Sequence, residues 1–374
     1  MSLFNVYPLF DITPVKAKDV YVYDENNVEY LDLYGGHAVI SIGHSHPKYV
    51  SAISNQVSKL GFYSNAIQNP LQVALVAKLE ALSGCKEYQL FLCNSGAEAN
   101  ENALKLASFH NGKSKVLAFK NSFHGRTSAA VATTDNPKIV APINAQQEVE
   151  FFELGNLISV EKALKNGDVC AVIIECIQGV GGLDESTTEF YQELRALCTK
   201  YNTVLIADEV QSGFGRTGDF FAFQQHNMQP DIISMAKGMG NGFPIGGILI
   251  NQQIEASYGL LGTTFGGNHL ACVASLSVLN VLEEEKLMEN ALEISAYFKE
   301  KASAIPQIKS VKGRGLMLGL EFEFPVSTLR KNLIFKHHIF TGSAKNPNLL
   351  RILPPLTVQK KHIDAFFNAL KKEL

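Results

Sequence analysis

No apolar run in this chain approaches the roughly 20 residues a membrane-crossing helix needs, which excludes a helical membrane protein. The longest runs are strand length. Neither sign of charge is in excess: Lys and Arg number 33, Asp and Glu 36, and the net charge is −3. Nothing in that balance attracts nucleic acid or an anionic membrane surface, so neither is expected as a partner. Cys85, Cys93, Cys170, Cys176, Cys198 and Cys272 show no C-x-x-C spacing. The first residues, Met-Ser-Leu-Phe-Asn-Val-Tyr-Pro, lack a basic start followed by an apolar stretch. Together these features predict reduced, buried thiols in a cytoplasmic protein. Internal repeats and low-complexity linkers are missing, as is a G-x-S-x-G nucleophile elbow. His44 with His46, and His337 with His338, lack third and fourth ligands at sensible spacing, so no metal is expected.

What is present is globular. The chain has 374 residues, 46% hydrophobic and 18% charged, enough for two to three structural units. Short apolar runs alternate with amphipathic stretches through the middle. Strands are predicted at 88–93, 115–119, 169–174, 203–207 and 231–236, and helices at 96–109 and 188–201. Unbroken apolar strands alternating with helices predict an α/β fold with a mainly parallel sheet covered on both faces. From about 268 the pattern changes to long helices (269–285, 289–304), strand-like pieces in 308–324, and helices at 327–337 and 359–374. This predicts three parts. Residues 1–45 form an N-terminal hairpin segment that joins the small domain or a partner chain. Residues 46–267 form a large domain, and 268–374 a smaller α+β domain.

In an open parallel sheet, ligands bind beyond the carboxyl ends of the strands. Four predicted strands end in polar groups: Asn94-Ser95-Gly96-Ala97-Glu98, Glu175, Asp208-Glu209-Val210-Gln211, and Lys237 followed by Gly238-Met-Gly-Asn-Gly242. Ser95-x-x-Glu98 is a capping box, and the free N–H groups at such a helix start also suit phosphate. Asp208 follows four apolar residues and needs a cation or strong donors. It reads as a strand-end cap, a salt-bridge partner, or the counter-ion of a protonated ring nitrogen. Lys237 follows an apolar strand and precedes three glycines, which let a bulky ligand approach the backbone. A lysine buried there loses its proton more easily, as a Schiff-base lysine must.

Two motifs mislead. Gly213-Phe-Gly215-Arg-Thr-Gly218 matches G-x-G-x-x-G, but no clear helix follows and no strand ends in an acid about 20 residues on. Gly112-Lys113-Ser114 resembles the end of a phosphate-binding loop, but Ala107 stands where its first glycine is required.

Five ordered motifs carry a family resemblance: Asn94-Ser-Gly-Ala-Glu-Ala-Asn100, Phe123-His-Gly-Arg-Thr127, Asp208-Glu-Val-Gln211, Ser234-Met-Ala-Lys-Gly238 and Thr264-Phe-Gly-Gly-Asn268. From about Tyr7 to the C-terminus the chain resembles the class III pyridoxal-phosphate aminotransferases, nearest to those acting on acetylornithine and succinylornithine. The resemblance implies an aspartate-aminotransferase-like fold, pyridoxal 5′-phosphate as cofactor and a homodimer with its active site at the subunit interface. It makes Lys237 the catalytic lysine that holds the cofactor and moves the substrate proton. Asp208 would pair with the pyridinium nitrogen, Gln211 with the phenolic oxygen, and Phe123 and Val210 would sandwich the ring. Ser95, Gly96 and Ala97 would cradle the phosphate, and Thr264 would reach it from the partner subunit. For substrate, the resemblance implies Arg351 on the α-carboxylate of glutamate or 2-oxoglutarate. Arg126 would take glutamate's side-chain carboxylate and the donor's α-carboxylate, with Tyr7, Asn65 and Glu175 nearby.

The chain departs from the family pattern in Glu175-Cys-Ile-Gln-Gly-Val180-Gly-Gly, where relatives read Glu-Pro-Ile-Gln-Gly-Glu-Gly-Gly. In relatives the second glutamate masks the arginine matched by Arg351. Val180 cannot, which leaves Arg351 open to a second carboxylate on the donor, such as a succinyl group. Cys176 and His269 replace prolines and are expected to affect backbone shape only. The expected activity is transfer from an N-acylornithine to 2-oxoglutarate in arginine biosynthesis. Ornithine, 4-aminobutyrate, succinyl-diaminopimelate or acyl-lysine as donor, or a non-catalytic cofactor-binding regulator, are the alternatives.

Overall fold

The computed structural model describes all 374 residues and contains three sheets. The largest has seven strands in the order Tyr88–Cys93, Gly246–Asn251, Ile232–Met235, Val204–Asp208, Val169–Ile174, Lys115–Phe119, Val149–Phe152. Five neighbouring strands run parallel; Gly246–Asn251 is antiparallel to both its neighbours. The sequence reading omitted Gly246–Asn251 and Val149–Phe152. The short return from Met235 to Gly246 is too short for a helical crossover, so the chain comes back antiparallel. Every residue of Val169–Ile174 is buried, as a strand covered on both faces requires.

The helix Gly96–Asn111 packs on this sheet. Its start is capped by Ser95, whose hydroxyl accepts the Glu98 N–H at 3.2 Å, and it ends at Gly112 with φ +71°. Ala99, Ala103, Leu104 and Ala107 line its buried face against Val116, Ile173 and Ile206. On the other side, one continuous core runs from Val20 and Leu33 through Leu205 and Phe221 to Phe298 and Phe366. The C-terminal helix Lys360–Glu373 enters that core through Ile363, Phe366, Phe367 and Leu370, spaced for one helix face. Full burial of such side chains contributes about 1.5–3 kcal/mol each.

Two smaller sheets complete the molecule. The strands Pro14–Lys18, Tyr21–Asp24 and Glu29–Asp32 form a meander, and Ile339–Phe340 pairs parallel with its last strand. The N-terminal hairpin therefore shares a sheet with the C-terminal part of the same chain. The third sheet is antiparallel: Ser310–Arg314, Met317–Glu321, Leu349–Ile352, Gly342–Ser343.

The misleading G-x-G-x-x-G segment is a packing device. Gly215 and Gly218 have φ of +79° and +100°, and side chains there would strike Met288 and Leu292. No helix is long and apolar enough to cross a membrane.

Candidate active site

A cavity of about 350 Å³ opens at the carboxyl ends of the large sheet, within the usual range for small-molecule sites. Ser95, Gly96, Ala97, Phe123, Arg126, Glu175, Asp208, Val210, Gln211 and Lys237, all expected from sequence, line it together with Val180.

Its anion-binding wall is the start of Gly96–Asn111, where the first-turn amides have no acceptor in their own helix. Gly96 is needed there because a Cβ would lie 2.6 Å from Val210 Cγ1. The turn after Val204–Asp208 thus sits directly on the helix start.

Asp208 is 5% exposed, and strong donors account for its burial. Its Oδ2 accepts from Asn100 Nδ2 at 2.7 Å and from His124 Nδ1 at 2.7 Å; its Oδ1 accepts from the Val210 N–H at 3.0 Å. Sequence reasoning gave Asn100 and His124 no role. A signal existed for Asn100, a polar residue on the apolar face that holds Ala103, Leu104 and Ala107.

Lys237 sits with φ +47°, a left-handed conformation costing a non-glycine residue about 1 kcal/mol or more. Distant backbone fixes the turn. Ser41 Oγ donates to the Gly238 carbonyl, and Asn241 Oδ1 accepts from the Ser41 and Ile42 N–H groups. Burial lowers the Lys237 amine to about 8, against the opposing charges of Asp208 and Glu175. Burial also raises the Glu175 carboxyl to about 7, although it accepts from the Phe123 and Gly179 N–H groups at 2.9 and 2.8 Å. Glu175 thus clamps two loops that border the cavity.

Four expected residues do not line the cavity. Tyr7 is 75% exposed. Asn65 and Thr264 lie on the exterior, where Asn65 Nδ2 donates to the Thr263 and Gly266 carbonyls. Phe62 and Phe265 pack beside them, exposed, with tilted rings whose centroids are 5.3 Å apart. Arg351 is 3% exposed and donates from Nε to the Ser343 carbonyl at 2.6 Å and from Nη1 to the Gly179 carbonyl at 2.7 Å. Burial lowers its affinity for a proton.

The residues replacing family prolines have local contacts. The Cys176 carbonyl accepts from Tyr191 Oη at 2.7 Å, and its buried thiol is held well above the usual range. His269 opens the helix His269–Glu284, a position that suits proline equally well.

The residues present fit pyridoxal phosphate. They supply an amide-lined anion site, a buried carboxylate for a cationic ring nitrogen and a lysine for an aldehyde. The Gln211 side chain has only the His37 carbonyl as partner, at 3.2 Å, and its oxygen is buried and unpaired.

A helix-flanked, mainly parallel sheet with a lysine and a carboxylate across its carboxyl-end cavity defines an aminotransferase-type fold. The family model for class-III aminotransferases matches residues 5–374, and the chain belongs to that family, a pyridoxal-phosphate-dependent class of enzymes. An acetylornithine aminotransferase of Aquifex aeolicus is 40% identical over 100% of this chain and 99% of its own. A succinylornithine transaminase of Photorhabdus laumondii is 37% identical over 94% and 90%. Among solved structures, the ornithine aminotransferase of Toxoplasma gondii superimposes with a TM-score of 0.90 at 27% identity, covering 98% of this chain and 91% of that one. The acetylornithine aminotransferase of Elizabethkingia anophelis gives 0.84 at 28%, covering 99% and 95%.

Proposed function

We propose that this enzyme transfers the side-chain amino group of an N-acylornithine, acetyl or succinyl, to 2-oxoglutarate, as a cytoplasmic homodimer using pyridoxal 5′-phosphate. One constellation carries the reading: the buried Lys237 amine lowered to about 8, the hydrogen-bonded Asp208 carboxylate and the open Arg126 guanidinium on a single cavity. Acetylornithine and succinylornithine relatives along most of the chain support the donor class.

When bound, the cofactor supplies an electron sink next to the reacting carbon. The N–H groups of Gly96 and Ala97, with Ser95, would hold its phosphate, Phe123 and Val210 would hold its ring, and Gln211 would bond its phenolic oxygen. Asp208, which accepts hydrogen bonds from Asn100, His124 and the Val210 N–H, would pair with the ring nitrogen. Lys237 takes the proton from the substrate carbon and returns it one position away, a role its lowered proton affinity suits. Arg126 orients a substrate carboxylate. Arg351 takes the carboxylate beside the reacting carbon of 2-oxoglutarate. Thr264 and Asn65 belong with the partner subunit, and the exposed Phe62, Tyr63, Ile67 and Phe265 around them support a subunit contact there. Glu175 keeps the Phe123 and Gly179 loops in place, and Tyr7 closes over substrate from the N-terminal segment.

The test is visible absorbance of the purified enzyme with N-acetylornithine and N-succinylornithine in separate cuvettes. Loss of the cofactor band with one donor, restored by 2-oxoglutarate, is expected and names the acyl group. Loss with neither, despite bound cofactor, overturns the donor assignment and directs the test to ornithine and 4-aminobutyrate.

A further inference from the structure

Arg126 is exposed on the Lys237 cavity and has no ion pair or side-chain hydrogen bond, so its backbone aims it. That backbone is the loop Phe123-His124-Gly125-Arg126-Thr127, which runs into the short helix Ser128–Ala132. Asn100 and Glu101, neighbours on the helix Gly96–Asn111, hold this loop on opposite sides of Arg126. Before the arginine, Asn100 Nδ2 donates to the His124 carbonyl at 2.8 Å. After it, Glu101 Oε2 accepts from Thr127 Oγ1 at 2.7 Å.

Glu101 also caps the short helix. Thr127 stands at the position that opens Ser128–Ala132, yet its hydroxyl caps no N–H there. Both Glu101 oxygens accept from the Ala129 N–H, each at 2.9 Å, and Oε2 accepts from the Ala130 N–H at 3.1 Å. A carboxylate is favoured against such free amides, and its hydrogen bonds are stronger than neutral ones. The partners of Glu101 are these donors and no cation, so its charge serves the loop. Between the two fastenings the loop lies against the start of the Gly96–Asn111 helix. Gly125 has φ +141°, and a Cβ there would stand 2.7 Å from the Ala97 Cβ. Thr127 Oγ1 also reaches the Ala97 carbonyl at 3.3 Å. The helix whose first amides form the anion-binding wall therefore also sets, little more than one turn on, where Arg126 stands.

We propose that Glu101 is a positioning residue for Arg126: it fixes the Arg126-Thr127 backbone so that the guanidinium meets a substrate carboxylate in the cavity. The proposal rests on the reading that Arg126 takes a carboxylate of both substrates. A planar fork binds a carboxylate only when it is aimed at it, so a displaced backbone weakens binding without removing the charge. Glutamine at position 101 keeps the size of the side chain but not its charge, and it has one acceptor oxygen for three donors.

The test is Glu101→Gln on the holoenzyme, with the two half-reactions followed separately by cofactor absorbance. KM for 2-oxoglutarate and KM for the N-acylornithine are each expected to rise about 10-fold, with kcat within about twofold. Cofactor affinity is expected to stay unchanged. Glutarate, a dicarboxylate that cannot turn over, is expected to lose affinity by a similar factor in calorimetry. Adding Glu101→Gln to Arg126→Ala should cost glutarate no further affinity, whereas a merely structural effect would add. Glu101→Asp keeps the charge with a shorter reach and should recover part of the loss. Thr127→Val removes the hydroxyl contact alone and serves if the glutamine variant melts early; a smaller rise in both KM values is expected. Unchanged KM and glutarate affinity, an additive double variant, or cofactor affinity falling as far as glutarate affinity overturns the proposal. If Arg126→Ala alone leaves glutarate binding intact, the role of Arg126 fails, and that of Glu101 with it. Failure of the wild-type enzyme to use either substrate defeats the functional reading instead, while glutarate binding still reports on Glu101 and Arg126.

Discussion

The two ends of the site are built differently. At the cofactor end, each key group follows its own strand: Ser95 after Tyr88–Cys93, Glu175 after Val169–Ile174, Asp208 at the end of Val204–Asp208, Lys237 after Ile232–Met235. A strand that stops delivers the next residue to a fixed edge, so short-range rules are enough. At the carboxylate end, Arg351, Tyr34 and His37 come from a strand of the third sheet and the N-terminal segment. Only packing across the chain joins them. The first end is delivered by strand ends, with the Lys237 turn held by Ser41 and Ile42, and the second depends on how the small sheets sit against the large one.

The largest expected effect separates the ends outright. Lys237→Ala should abolish covalent cofactor attachment and cut turnover by at least about 10²–10⁴-fold, read from absorbance and single-turnover rates. Melting of the cofactor-free protein should not fall, because the variant also removes a buried amine.

The next two changes oppose each other. Gly96→Ala places a methyl 2.6 Å from Val210 and should weaken cofactor binding by about 1–3 kcal/mol, measured by cofactor titration. Gly342→Ala sets a methyl against the Tyr34 ring, which lies 5.9 Å from the Arg351 guanidinium, and should raise KM for 2-oxoglutarate severalfold, with cofactor affinity unchanged. If each variant damaged both ends, the separation would fail.

The smallest effect is a titration. The Lys237 amine is lowered to about 8, so aldehyde capture by cofactor-free protein should reach half its maximum rate near pH 8. Asp208→Asn removes a charge that raises this value and should move the midpoint lower. The sign for stability follows from the same shift. Burial of the ammonium costs most below about pH 8, and the cost disappears as pH rises towards the ordinary 10.5.

Legibility followed the same division. The strand ends, the capping box at Ser95 and the helix faces could be read from periodicity and turn residues. Gly246–Asn251 could not, because its direction depends on a short return loop rather than on its own residues. His124 stood inside a quoted motif, yet its bond to Asp208 joins residues 84 positions apart.

By itself, then, the sequence determined the alternation of buried strands and helices, the edge where polar groups gather, and the lysine and carboxylate at that edge. Those features arise from hydrophobic period and chain punctuation, which act over a few residues. The tertiary structure decided which donors keep Asp208 buried, what holds Lys237 in its strained turn, and which carboxylate fastens the Arg126 loop. Most of these depend on groups far apart in the chain, such as His124 with Asp208 or Ser41 with Gly238, where the interaction exists only after the core has closed.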